Sequence, residues 1–310
     1  MPNPSPFTTT YAGEKAGKYI SAALLSANTL ENGGLTIMPN VKYKSVLKTF
    51  EMDGAVQDAS CNFNDEATMS IGERYIVPKE LQTNIQLCKS VFRQDWDALE
   101  MGFSAFDVLP KTFQDYMLAY AANLTAQTTE TNLWTGSDAV NGQFDGILTK
   151  LTAGGGFIDA GSGAVSASNV VATLGAVLDD TPSRVYGKED LKLYVAPNVF
   201  RAYIRALGGF ASGVGAAGVN NQGTTWYTGN ANAITFDGVA IFMANGLPDN
   251  TILCSQTSNL YFGTGLLSDF NEIKLIDMGL IDGSQNVRVV MRYTAGTEVG
   301  FAGDIVTWGL

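Results

Sequence analysis

A chain of 310 residues in which 45% of side chains are hydrophobic and 16% charged has the material for a packed core and too little charge to stay disordered. Its length favours two domains, or one domain with long extensions. Thirty acidic residues against 19 basic ones give a net charge of −11 with no basic arm, which opposes tight nucleic-acid binding, and the lack of any His excludes Ser-His-Asp and Cys-His nucleophiles and His-rich zinc sites.

The three cysteines, Cys61, Cys88 and Cys254, are odd in number and widely spaced, so reduced thiols are expected and neither a disulfide framework nor a zinc knuckle is implied. The first residues lack the cationic start and apolar core of a signal peptide, and no apolar run reaches about 18 residues, so synthesis in a cytoplasm is expected. Carboxylate chemistry stays open in principle, but Asp65-Glu66, Asp179-Asp180 and Glu189-Asp190 sit in polar, turn-like stretches and read as solvated loop charges. Gly213 to Gly218 spells G-x-G-x-x-G, yet it follows a helical segment and runs into Asn220-Asn221-Gln222-Gly223. A phosphate-binding turn needs a strand before it and a helix after, so a Gly-rich loop is the reading. Asn62, Asn64, Asp65 and Glu66 lack the spacing that wraps calcium. Neither cofactor nor metal is expected.

In chain order, residues 1 to 12 hold three of the nine prolines and predict an extended arm, followed by a short helix over 14–27. From Val41 the period becomes two. Val41, Tyr43, Ser45, Leu47 and Thr49 share one face while Lys42, Lys44, Val46 and Lys48 share the other, which predicts a strand with a basic face. Met69, Ile71, Glu73, Tyr75 and Val77 alternate in the same way up to Pro78, and the two runs form a long hairpin. A lone two-stranded ribbon is marginal in water, so it must pack on the rest of the chain or on a neighbour.

Residues 81–101 predict a strand and a helix. Pro110 opens a long helix through about Thr131, with an apolar stripe of Phe113, Met117, Tyr120 and Leu124. The Gly- and Ser-rich stretch 153–168 reads as the passage into a second domain. There Val170 to Leu178 form a helix, Leu191 to Ala196 a buried strand, and Pro197-Asn198 open a further helix before the Gly-rich loop. The last eighty residues predict strands over 238–243, 251–254, 272–277, 287–293 and 298–308, with breaks at Asp282-Gly283 and Ala295-Gly296. The class is α+β.

This order of arm, hairpin, long helix, α/β domain and terminal strands resembles the major capsid proteins of tailed bacteriophages, with the Hong Kong-97-type fold. Asp145-Gly146-Ile147-Leu148 is similar to the element after that family's spine helix. Leu193 to Phe200, with its Pro197-Asn198 passage, and the strand, loop and strand from Phe236 to Leu253 resemble the family's axial domain. The segment Val287 to Gly309 resembles its closing peripheral-domain strands. The run Lys79 to Gly102 looks most like capsid proteins of the crAss-like phages of Bacteroidetes.

The resemblance implies an N-terminal arm (1–40), an extended loop (41–80), a peripheral domain with a spine helix at about 110–131 (81–165), an axial domain (166–270) and C-terminal strands returning to the peripheral domain (271–310). It implies many copies in hexamers and pentamers forming an icosahedral shell, a virion protein assembled in the host cytoplasm around double-stranded DNA held by non-specific proximity. Separate scaffold, portal and decoration proteins are implied, since only a short arm precedes the fold, and no membrane is. Inter-subunit contacts fall on Val41, Lys42, Tyr43, Lys44, Lys48, Glu73, Arg74 and Tyr75 of the hairpin, and on Phe210 and Val214 of the Gly-rich loop. An encapsulin-type nanocompartment shell is the alternative within the fold. A carboxylate-dependent enzyme and a trimeric phage adhesin are the alternatives outside it.

Overall fold

A computed structural model describes residues 8–11, 28–54, 56, 58, 61, 67–88, 111–207, 234–265 and 273–310. In chain order its elements are β1 (Thr8–Tyr11), α1 (Asn28–Glu31), β2 (Thr36–Pro39), β3 (Ser45–Asp53), β4 (Thr68–Ile76) and β5 (Lys79–Cys88). Next come α2 (Lys111–Thr135), α3 (Ile147–Gly154), β6 (Ile158–Asp159), α4 (Val170–Asp179), β7 (Leu191–Val195), α5 (Pro197–Leu207), β8 (Thr235–Phe236), β9 (Val239–Met243) and β10 (Ile252–Gln256). The chain closes with β11 (Leu260–Thr264), β12 (Ile273–Asp277), β13 (Asn286–Val299) and β14 (Val306–Trp308).

Strict alternation makes β13 the spine of the first sheet. Val287, Val289, Met291 and Tyr293 are buried, while Arg288 and Arg292 between them are exposed. Its first ten residues pair antiparallel with β5, from Asn286 opposite Cys88 to Ala295 opposite Lys79. Its other edge takes β12 and then β11, and β1 and β2 complete six strands. The sequence predicts a break at Ala295-Gly296, but β13 runs through it. Gly296 is there for close approach: a Cβ would stand 2.9 Å from the carbonyl oxygen of Val77, where the hairpin leaves for β5.

The long helix α2 lies beneath this sheet and uses small and polar side chains to approach it. Thr125 Oγ1 meets Thr83 Oγ1 at 3.2 Å and Thr129 Oγ1 meets the Tyr293 hydroxyl at 3.4 Å. Ala121, Ala122 and Ala126 are buried, whereas Leu124, assigned to the buried stripe by its spacing, is 44% exposed. The helix seats a face about one position away from its largest apolar residues because small side chains bring it closer to the strands.

The second sheet has the order β6-β14-β10-β7-β9-β8. A continuous apolar run buries Leu191, Leu193, Tyr194 and Val195 on both of its faces, under α4 and α5. β14 pairs with β10 and β6 here, so the final strand departs from the expectation of a return to the first sheet; after Gly300 the chain turns, and Ile305 and Val306 are fully buried. Conversely, β11 joins the first sheet through β13 and β2, although its residues fall within the expected axial domain. A single apolar cluster spans both sheets, and Tyr194 lies at its centre, 5.5 Å from the rings of both Trp134 and Phe242.

The motifs read from sequence become structural fasteners. Gly146 precedes α3, donates its N–H to the Gly136 carbonyl at 2.9 Å and leaves no room for a Cβ beside Asn132 and Trp134. Asn198 and Asn250 bond reciprocally, through Nδ2 to Oδ1 at 2.9 Å and Oδ1 from the Asn250 N–H at 3.1 Å, which locks the loop that carries Asn250 at φ 65°. Near the arm, Glu130 accepts both the N–H (3.1 Å) and the hydroxyl of Thr29, and the same hydroxyl accepts the Trp134 indole N–H at 3.1 Å. The predicted helix at 14–27, the residues after Cys88 up to 110, the Gly-rich loop and the 62–66 turn lie outside the described residues.

Candidate functional site: the hairpin and its base

β3 and β4 pair over nine rungs, from Ser45 opposite Ile76 to Asp53 opposite Thr68. Directly opposed residues share a face, so Val46 with Tyr75, Lys48 with Glu73, Phe50 with Ile71 and Met52 with Met69 form one ladder. Its apolar members are 39–61% exposed. The second face is polar, with Thr49, Glu51, Ser70, Gly72 and Arg74, and it lies over the chain's own body across two clefts. One, of about 470 Å³, opens onto Gly154–Gly156 and Phe301–Gly303; the other, of about 780 Å³, onto Arg184, Phe301 and Asp304.

The hairpin is anchored only where it begins and ends. Val41 is buried and donates its N–H to the Thr264 carbonyl at 3.3 Å, and Ile76 is fully buried against Gly263, where a Cβ would stand 2.6 Å from its Cγ2. Asn40, at φ 60°, turns the chain into this position. The expected strand over Val41 to Thr49 therefore starts four residues late. Val41 belongs to the core, Lys42 and Tyr43 form an exposed bend with Tyr43 83% exposed, and Lys44 sits 3.4 Å above the Tyr75 ring. The expected basic face is a correction too: within β3 only Lys48 remains of it, opposite Glu73 and flanked by Val46 and Phe50.

Glu73 also accepts the Tyr75 hydroxyl at 2.7 Å, and that bond to a carboxylate raises the phenol above its usual range. Arg74 turns to the body, its guanidinium beside Gly154 at the end of α3. It reaches a buried charge cluster in which Lys150 lies 3.4 Å from Asp145 and 3.8 Å from Glu298. Burial raises the Glu298 carboxyl, while the Val299 N–H and the charges of Lys150 and Arg74 oppose the rise.

A third cleft, of about 910 Å³, flanks the hairpin base; Lys42, Lys79 and Arg292 line it, with Glu80, Gln82 and Asn84. Lys79 is held by Asp138 at 2.7 Å. Sequence reasoning named Lys42 but missed Arg292, 250 positions along the chain, which arrives through the pairing of β13 with β5 opposite Gln82. Phe210 and Val214 lie outside the described residues. Elsewhere, Asp190 departs from the reading as a solvated charge. Its partial burial works to raise the carboxyl, but bonds from Ser258 Oγ (2.5 Å) and Gln256 Nε2 (2.8 Å) outweigh that and hold it below the usual range, as a brace between the β7 entry and the end of β10. Among the described residues no group of three or more Cys, Asp or Glu is placed to hold a metal ion.

No family model and no curated protein matches the chain. Solved structures do. One described as Gordonia phage Cozz superposes with a TM-score of 0.60 at 10% identity, covering 91% of this chain and 86% of that one. The capsid of the Myoviridae phage XM1 gives 0.58 at 14% identity over 91% and 92% of the two chains. A virus-like particle from Pyrococcus furiosus gives 0.53 at 11% identity over 94% and 98%. The chain thus has the α+β capsid-protein fold of the Hong Kong-97 type.

Proposed function

We infer that the chain is a major capsid protein, whose copies assemble into the icosahedral shell that encloses phage double-stranded DNA. The observation that carries this reading is the ladder of exposed apolar side chains on a ribbon fastened only at its base. Contiguous apolar surface of this kind marks a face that another molecule covers, and the fold is one that known shells use. In the same terms, residues 1–40 act as the arm, 41–80 as the extended loop, 81–165 as the peripheral domain, 166–270 as the axial domain and 271–310 as the closing strands, with β11 and β14 exchanged between sheets as described. Hexamers and pentamers, separate scaffold, portal and decoration proteins, a place in the virion after assembly in the host cytoplasm, and DNA held without specific contacts belong to this proposal. A kinship with crAss-like phage capsids rests on the run Lys79 to Gly102 alone.

Electron microscopy of the purified full chain tests the reading: closed, uniform particles are expected. A chain that stays a small soluble oligomer under all assembly conditions, or one with measurable turnover, would sink it. The likeness to the virus-like particle favours a second reading, a nanocompartment shell. Particles isolated from the native source decide between the two, since the phage reading requires packaged DNA and the compartment reading a protein cargo.

A further inference from the structure

Charge is unevenly distributed along the hairpin. Between Lys48 and Arg74 the sequence has six acidic residues and no basic one. Glu51, Asp53 and Asp58 of this stretch are exposed. Over its own body the distal half faces Arg184, but Asp304 already holds that guanidinium, Nε to Oδ1, at 2.6 Å. The hairpin's acids find no uncommitted cation there.

The cleft at the hairpin base has the opposite character. Lys42 stands just before β3, Lys79 and Glu80 just after β4, and Arg292 is exposed on β13 behind them. With Lys79 neutralised by Asp138, Lys42 and Arg292 still outweigh Glu80, in a chain whose total is −11. The cleft and the acidic half cannot meet within one molecule. β3 has nine residues, which at about 3.3 Å per residue puts Asp53 roughly 30 Å from the base.

We propose that the acidic distal half of the hairpin seats in the basic cleft at the hairpin base of a second copy. The two surfaces lie on different parts of the subunit, so the contact is heterologous and each copy offers one while receiving the other. Repetition of the same step closes a ring when the rotation between copies divides a full turn. The inference rests on the shell reading and adds to it the receiving surface. The apolar ladder travels with the acids, so Phe50 and Met52 gain cover while the opposite charges fix register.

Full chains labelled with nitrogen-14 and nitrogen-15 are mixed, assembled and treated with a carbodiimide, which joins carboxylates to amines, and the linked peptides are read by mass spectrometry. Links from Glu51, Asp53 or Asp58 to Lys42 in mixed-isotope pairs are expected; links confined to same-isotope pairs, or none from these acids to Lys42, would overturn the proposal. Arg292→Glu should cut particle yield about tenfold or more, and adding Glu51→Lys with Asp53→Lys should restore most of it. Unchanged yield in Arg292→Glu particles counts against the cleft. A chain that makes no particles yet gives mixed-isotope links removes the shell reading and keeps the contact, whereas particles with only same-isotope links do the reverse.

Discussion

Glu298 is an acid held in a place that disfavours its charge. Burial raises its carboxyl above the ordinary value near 4.5, with Lys150 and Arg74 only partly restoring the ionised form. The folded chain therefore keeps this proton to higher pH than the unfolded chain does. The associated stability is complete below the ordinary value and is lost as pH rises through the folded one. Glu298→Gln stays neutral throughout and keeps the shape, so denaturation midpoints measured from about pH 4 to about pH 7 should decline less in the variant than in the parent. Parallel profiles would show that the Lys150 and Arg74 charges compensate fully. Glu130 illustrates the other outcome for a buried acid: with the Thr29 N–H and hydroxyl directed at its oxygens, its lone pairs have donors and the arm has a fixed point of departure from α2.

Elements here are positioned by what small residues permit. The turn after β9 comes against α2 at Gly246, where a Cβ would lie 2.2 Å from the Glu130 carbonyl oxygen and 2.7 Å from Trp134 Cδ1. Gly246→Ala should therefore cost about 2–4 kcal/mol, read as a lowered urea midpoint at unchanged slope; an unperturbed midpoint would mean that the turn can back away from the helix. Such contacts explain what was legible in the sequence. Period-two alternation located β4 and β13, and the Pro-Asn pair located α5, because each is a local rule. The late start of β3 was hidden, since Val41 leaves the ladder to fill a space beside Gly263, a residue 222 positions away. The seating of α2 was hidden too: alanine and threonine carry no strong periodic signal, yet they set how closely the helix approaches Thr83 and Tyr293. Of the site, the hairpin was legible and the receiving cleft was not, because Arg292 joins it only through the register of β13 with β5.

The molecule as a whole divides its work between a body that is complete in itself and a ribbon that is not. Replacing the rung Phe50 and Ile71 by Phe50→Lys with Ile71→Glu keeps a favourable cross-strand pair while removing apolar surface from the exposed ladder. Thermal stability of the isolated chain should change by no more than about 0.5 kcal/mol, while assembly measured by light scattering should fail. Normal assembly of this variant would show that the ladder is not a contact. The hairpin's attachment has a mechanical side as well. Its returning strand runs through Val77 and Pro78 straight into β5, which is laced to β13 from Lys79 to Cys88. A pull directed along β5 loads all of those rungs together in shear, whereas a pull across it would peel them one at a time. The ribbon can thus act as a tether under tension, handing the strain on one subunit to the longest strand of the sheet rather than to a loop.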